Sequence, residues 1–258
     1  MSKLFKNFKT LHHGEELFVL PNVWDARSAI IFQEKGFTAV GTSSAAVANS
    51  LGYEDGEQMS FSEYLFVINR IVSSVNIPVT VDIEMGYGKT NEEIFGNILR
   101  LIEMGVAGIN IEDSIVNDSK RVLKDAKLFA STIEYIKNKL ESKDLDLFIN
   151  LRCDTYILNV DNKHKETVDR LKLYTNTGAD GIFLPCIGNE EDIAEAVRNT
   201  TLPLNVMCIP GLPSVEVLNQ LGVKRVSMGP FMFQKVYKNI GSLSQEIKSA
   251  KSFSALLD

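Results

Sequence analysis

Acidic residues close two successive apolar runs: Asp82 and Glu84 within Val81-Asp82-Ile83-Glu84-Met85-Gly86-Tyr87-Gly88, and Glu112 and Asp113 directly after Ile111. Residues two apart on a strand share a face, so Asp82 and Glu84 point the same way, toward a site or a solvated rim. Carboxylates taken out of water need a positive partner. A hard divalent cation is one: Mg²⁺ takes one or two carboxylates, keeps several waters, and leaves neighbouring acids to act from behind. The cluster therefore predicts an enzyme with a bound Mg²⁺ (or Mn²⁺), Glu112 joining the metal site and Asp113 either joining it or capping a helix.

Further groups fall at the ends of neighbouring apolar runs. Arg152, in Leu151-Arg152-Cys153-Asp154, offers a planar fork that fits a carboxylate or a 2-oxo acid, and it would also neutralise the acids. Ser43-Ser44-Ala45 supplies small side chains and backbone N–H groups suited to a carboxylate, and Asp55 and Asn205 follow at other strand ends. Tyr87, between two glycines, is a candidate donor or acid, or a buried aromatic. The three histidines, His12, His13 and His164, lie away from these ends, so histidine chemistry is not expected. Cys153, Cys186 and Cys208 lack zinc or disulfide spacing and are expected reduced, packing rather than reacting.

What must position these groups is a series of eight short apolar runs alternating with amphipathic stretches. They run approximately Leu17 to Leu20, Thr38 to Thr42, Val79 to Ile83, Gly108 to Ile111, Leu147 to Leu151, Gly181 to Leu184, Leu204 to Met207 and Arg225 to Met228. Near-continuous apolar strands belong to a parallel sheet covered by helices. Glycines recur just before strands, as in Lys35-Gly36-Phe37 and Met104-Gly105-Val106, where a left-handed residue ends a helix. Eight such units in 258 residues predict an α/β chain folded as one (β/α)8 TIM barrel over residues 1–258, with 231–258 as eighth helix and C-terminal tail. An open doubly wound sheet would need a glycine-rich phosphate turn after the first strand, and Leu20-Pro21-Asn22-Val23 has none.

A net charge of −6 gives no reason to expect nucleic acid or an anionic membrane as partner. Met1 to Lys6 lacks the apolar core of a signal peptide and no run is long enough to span a bilayer, so a cytoplasmic location is expected.

In order and spacing, Asn22-Val23-Trp24-Asp25-Ala26-Arg27-Ser28-Ala29, Ser43-Ser44-Ala45, Asp82 to Gly88, Ile111-Glu112-Asp113 and Leu151-Arg152-Cys153-Asp154 resemble the isocitrate lyase and phosphoenolpyruvate mutase superfamily, from about Pro21 to the last strand. The resemblance implies a Mg²⁺ or Mn²⁺ enzyme that forms or consumes a pyruvate-like enolate. It also implies a homo-oligomer, most often a tetramer, whose last helix is swapped between subunits. Asp82 matches the direct metal ligand, with Glu84, Asp55 and Glu112 acting mainly through water. Isocitrate and methylisocitrate lyases carry a Lys-Lys/Arg-Cys-Gly-His loop after strand four, whereas here Ser114 to Arg121 holds neither cysteine nor histidine. Phosphonate-processing relatives carry a Lys-Thr-Asn-Ser loop and a histidine after strand six. Asn117 and Lys120 imitate the first only loosely, and Pro185 stands at the second.

The leading expectation is a Mg²⁺-dependent lyase that cleaves a carbon-carbon bond in a small 2-hydroxy or 2-oxo (di)carboxylic acid. Ser43, Ser44, Ala45, Asn205 and Arg152 would bind it, Arg152 would stabilise the enolate, and Glu112, Asp55 or Tyr87 would move the protons. The alternatives are phosphorus-carbon mutase or hydrolase action on a phosphonopyruvate-type substrate, and a barrel that binds a 2-oxo acid without turnover.

Overall fold

The computed structural model describes residues 2–117 and 120–257. Its strands are β1 (Phe18–Leu20), β2 (Asn22–Val23), β3 (Val40–Thr42), β4 (Val79–Asp82), β5 (Gly108–Glu112), β6 (Ser114–Asn117), β7 (Lys120–Leu123), β8 (Phe148–Arg152), β9 (Gly181–Leu184), β10 (Leu204–Met207) and β11 (Arg225–Ser227). The helices are α1 (Lys3–His13), α2 (Ala26–Glu34), α3 (Ser44–Ser50), α4 (Phe61–Val72), α5 (Asn91–Glu103), α6 (Ala126–Ser142), α7 (Lys163–Tyr174), α8 (Glu190–Arg198), α9 (Val215–Gln220) and α10 (Phe231–Ala250).

Nine strands form one parallel sheet in the order β1-β11-β10-β9-β8-β5-β4-β3-β2. Its two edges are halves of the same run of chain, parted only by Pro21. β1 pairs with β11 and β2 with β3, while Gly41 N donates to the Pro21 carbonyl oxygen, so the sheet curls into the expected barrel. A proline fits this seam because the change of partner needs no ladder donor there.

Strand parity divides the interior from the helix-facing layer. Val81, Ile109, Ile111, Ile149, Leu151, Ile182, Leu184 and Val206 are buried in the core beneath the helices. Asp82, Asn110, Glu112, Asn150, Arg152 and Asn205 occupy alternate positions on the same strands, as Arg225 does beside the core residue Val226 on β11. Helices follow from local signals. Capping boxes begin α2 (Asp25 with Ser28), α4 (Ser60 with Glu63) and α5 (Thr90 with Glu93). Gly36 (φ 85°) and Gly105 (φ 89°) take the left-handed conformation that their placement before a strand predicts.

Three features depart from the sequence expectation. The first two strands begin later, at Phe18 and Val40, while β5 and β8 extend to Glu112 and Arg152, which pair directly across the ladder. Opposite charges at paired positions allow both strands to continue into the site. The stretch from Ser114 forms an antiparallel hairpin, β6 with β7, although Asp118 and Ser119 within it lie outside the described residues. Helix α1 adds a plug: Phe8 and Phe148 meet edge to face at 5.3 Å and His12 stacks on Phe148 at 4.0 Å.

Candidate active site

Seven of the sequence-predicted groups reach one end of the barrel. Ser43, Ser44, Ala45, Asp55, Asp82 and Arg152 line a cavity of about 160 Å³, joined by Asn22, Asn110, Phe183, Pro185 and Met207. Glu112 is fully buried at its margin, within 2.8 Å of Arg152 Nη1. A larger, shallower groove of about 580 Å³, lined by Lys9, Lys137 and Asp180, lies at the opposite end, away from every strand-end acid.

The Val81 to Gly88 segment owes its shape to three successive demands. β4 delivers Asp82, Ser44 Oγ donates to Asp82 Oδ2 at 3.2 Å, and the chain then curls through Glu84 (φ 50°), Gly86 (φ 108°) and Tyr87 (φ 54°). Two non-glycine residues in the left-handed region cost about 1–3 kcal/mol each, which the surrounding contacts must offset. Tyr87 Oη donates to Glu84 Oε1 at 3.0 Å, Glu57 N donates to Glu84 Oε2 at 3.1 Å, and Tyr87 N donates to Glu57 Oε1 at 2.7 Å. Burial, with Asp55 and Asp82 nearby, pushes the Glu84 carboxyl up to about 7. Burial and the adjacent Glu84 move the Tyr87 phenol far above its usual range, so it donates without ionising.

Two guanidiniums enter this acidic ring. Arg152 Nε donates to Asp154 Oδ1 at 2.6 Å, while its Nη1 lies 2.8 Å from Glu112 Oε2 and 3.7 Å from Asp82 Oδ2. Burial opposes its charge, but Asp154 and Asp82 hold Arg152 protonated above even the ordinary arginine range. Arg121, brought in by β7, pairs with Glu112 and approaches Asp55 at 3.4 Å, Glu84 at 3.7 Å and Asp154 at 4.0 Å. Five carboxylates thus face two guanidiniums.

The remaining predicted residues have other places. Asp113 neither caps a helix nor reaches the cavity: it accepts from Arg170 Nη1 (2.9 Å), Tyr174 Oη (2.7 Å) and Asp154 N (2.8 Å), anchoring the strand end to α7. Asn205 is fully buried below the cavity, donating to Asn150 Oδ1. Tyr87 and Glu84 stand behind Asp82 and do not line the cavity. Sequence reasoning did not single out Arg121, Glu57, Asp154 or Asn110. Asp154 shares strand-end parity with Arg152 and was open to detection, whereas nothing near Arg121 or Glu57 distinguishes them from surface charges.

The donor set fits a divalent cation. Asp82 and Asp55 present hard oxygens to the cavity, and burial together with Asp55 raises the Asp82 carboxyl, a stress that a nearby cation relieves. Among the described residues no three Asp, Glu, His or Cys side chains converge on one point, so a cation held here would take one or two carboxylates directly, with water completing its shell.

Residues 8–248 match the family model described as phosphoenolpyruvate phosphomutase. An uncharacterised protein of Mycobacterium tuberculosis is 37% identical over 223 residues, 86% of this chain and 81% of that protein. Oxaloacetate decarboxylase 1 of Pseudomonas fluorescens is 29% identical over 86% of this chain and 76% of its own length. A crystal structure from Burkholderia cenocepacia, 32% identical, superposes with a TM-score of 0.88 over 95% of this chain and 100% of that one. With motif order, barrel and strand-end acids all in agreement, the chain belongs to the phosphoenolpyruvate phosphomutase family and is an enzyme of the isocitrate lyase/PEP mutase superfamily.

Proposed function

We propose that this enzyme is a Mg²⁺-dependent lyase that cleaves a carbon-carbon bond in a small 2-hydroxy or 2-oxo dicarboxylic acid and leaves a pyruvate-like enolate. The observation that carries this reading is the cavity itself: about 160 Å³, one guanidinium, two carboxylates and the small Ser43-Ser44-Ala45 corner. When bound through Asp82, with Asp55, Glu84 and Glu112 reached through water, Mg²⁺ would supply Lewis-acid polarisation of substrate oxygens.

The chain's own residues do the rest. Arg152, locked by Asp154 and Glu112, is a rigid cation against which the substrate carboxylate and the developing enolate charge are held. Ser43 and Ser44 sit at the start of α3, where side-chain hydroxyls and backbone N–H groups meet a carboxylate. Phe183, Pro185 and Met207 wall the far side and exclude water. Among the described residues, only Asp55 and Asp82 beside Arg152 bring titratable groups to the cavity. That scarcity favours the decarboxylating form of the reaction: loss of CO₂ from a 2-oxo dicarboxylate leaves the enolate without any base, and a single proton from water then completes pyruvate. It also disfavours a phosphonate-bearing 2-oxo acid, whose phosphonate and carboxylate together carry more negative charge than a dicarboxylate against the same one lining cation.

The test is a substrate panel. Oxaloacetate, malate and citrate analogues and phosphonopyruvate are incubated with enzyme and Mg²⁺ and followed for pyruvate, CO₂ and phosphate. Pyruvate from a carboxylic acid, lost in Asp82→Asn, is expected; phosphate release, or binding without turnover of any acid, would replace this reading with one of its two rivals.

The same proposal includes a homo-oligomer, most simply a tetramer. Of the 20 residues of α10 only Phe233 is buried, while Val236, Tyr237 and Ile240 and the following Phe253, Leu256 and Leu257 are exposed. An apolar groove of about 340 Å³ between α2 and α10, lined by Trp24, Ile31, Phe32, Met232 and Val236, lies beside them. Covering both with a second copy, by exchange of α10, removes that surface from water. No described helix is long and apolar enough to cross a membrane, and the unpaired cysteines accord with a reducing, cytoplasmic setting.

A further inference from the structure

The inside of a barrel of this type is ordinarily filled by branched apolar side chains. Here Asn110 on β5, Asn150 on β8, Asn205 on β10 and Arg225 on β11 fill the layer beneath the cavity. Arg225 is fully buried, and among the described residues its polar neighbours are His12 and Asn110 rather than a carboxylate. Its Nη2 donates to Asn110 Oδ1 at 3.1 Å and its Nη1 lies 3.4 Å from His12 Nε2. His12 Nδ1 is 2.9 Å from the Phe8 carbonyl oxygen and so carries the proton, leaving Nε2 to accept. Burial and Arg225 both depress the imidazole, which therefore stays neutral.

This arrangement fixes every amide. Arginine can only donate, so the Asn110 atom facing Arg225 must be its oxygen. The same oxygen takes a second hydrogen bond from Asn150 Nδ2 at 2.9 Å, and Asn150 Oδ1 in turn accepts from Asn205 Nδ2. The ladder ends at Asn205 Oδ1, which has no hydrogen-bond partner among the described residues. At the other end, Asn110 Nδ2 has no protein acceptor among the described residues, and Asn110 is one of the side chains lining the cavity. Two donors to one oxygen fix the amide and leave its N–H₂ toward the cavity, as a preoriented donor that water or a ligand oxygen can reach.

We propose that Asn110, oriented by Arg225 and Asn150, is a substrate-binding residue whose Nδ2 donates to an oxygen of a small carboxylate or enolate anion on the cavity floor. The inference rests on reading this cavity as a 2-oxo acid site, and it adds a neutral donor to the charged grip of Arg152. Because Asn110 offers only N–H at that point, it selects ligands that place an acceptor there and rejects those that place an amide donor.

Oxalate, an acceptor on every side, and oxamate, which replaces one carboxylate by an amide, separate this role from a structural one. Both are titrated calorimetrically into the full-length protein with Mg²⁺. Asn110→Asp keeps an oxygen for Arg225 and Asn150 but removes the donor. Its oxalate affinity is expected to fall about 10- to 100-fold, the span of one hydrogen bond to a charged group, and the oxalate-over-oxamate preference to fall at least tenfold. Asn110→Ala, which adds no charge, is expected to weaken oxalate about tenfold and to bring the two ligands closer together, and it decides the matter if the Asp variant does not fold. Binding of oxalate by the wild type with an unchanged oxalate-to-oxamate ratio in both variants would overturn the role of Asn110 alone. Failure of the wild type to bind either acid would overturn the 2-oxo acid reading of the cavity and this inference with it.

Discussion

Tyr87 Oη donates to Glu84 Oε1 at 3.0 Å across a turn in which both residues have positive φ. The bond holds a carboxyl that burial, Asp55 and Asp82 have pushed up to about 7, against a usual value near 4.5. A raised carboxyl binds its proton more tightly folded than unfolded. Its contribution to stability is therefore full below about pH 4.5 and is lost as pH rises through about 7. The metal-free protein is expected to lose stability between pH 5 and 8 from this group, and Glu84→Gln to flatten that slope. Urea denaturation at four pH values with chelator present measures it; parallel slopes for variant and wild type would contradict the assignment. Divalent-cation affinity should rise over the same interval as the carboxylate forms.

Arg152 holds its fork against Asp154 and Glu112. Arg152→Lys keeps the charge but not the bidentate geometry, and kcat is expected to drop about 100-fold, as when a preorganised transition-state donor is removed. Circular dichroism and a denaturation curve must first show a folded variant, since leaving the ring unpaired costs about 3–5 kcal/mol. A near-normal kcat in a folded variant argues against the role.

Arg121 is the second cation of the ring, contributed by the hairpin after β5. Replacing it by alanine leaves Glu112 and Glu84 with one guanidinium fewer. Metal-free stability should fall by about 2–4 kcal/mol, the cost of stranding buried charge. Millimolar Mg²⁺ should restore more of this loss than it adds to the wild type. Equal gains in both proteins, read from paired denaturation curves, would mean that Arg121 and the cation do not share the same carboxylates.

Helix α10 carries the assembly prediction. Light scattering of the intact chain at micromolar concentration is expected to give an oligomer, and truncation near Lys238, which removes Ile240 and the apolar tail, is expected to give a monomer. A monomeric intact chain would refute the exchange of this helix.

The barrel and its acidic mouth were legible in the sequence because both are written in short windows. Alternation of apolar runs with amphipathic stretches defines the strands, glycines such as Gly36 and Gly105 end helices within a few residues, and Asp82, Glu112 and Arg152 share one end because each closes its apolar run in a parallel sheet. Tertiary structure decided which charge meets which. Asp113 is bound by Arg170 and Tyr174, 57 and 61 residues away, so its role as an anchor could not be told from that of a cap. Arg121 acquires its part only when the β6–β7 hairpin folds back over the ring, and Asn110 only when β11 brings Arg225 beneath it from 115 residues away. Pairing of buried polar groups depends on which strands become neighbours and in what register, and no local propensity encodes that choice.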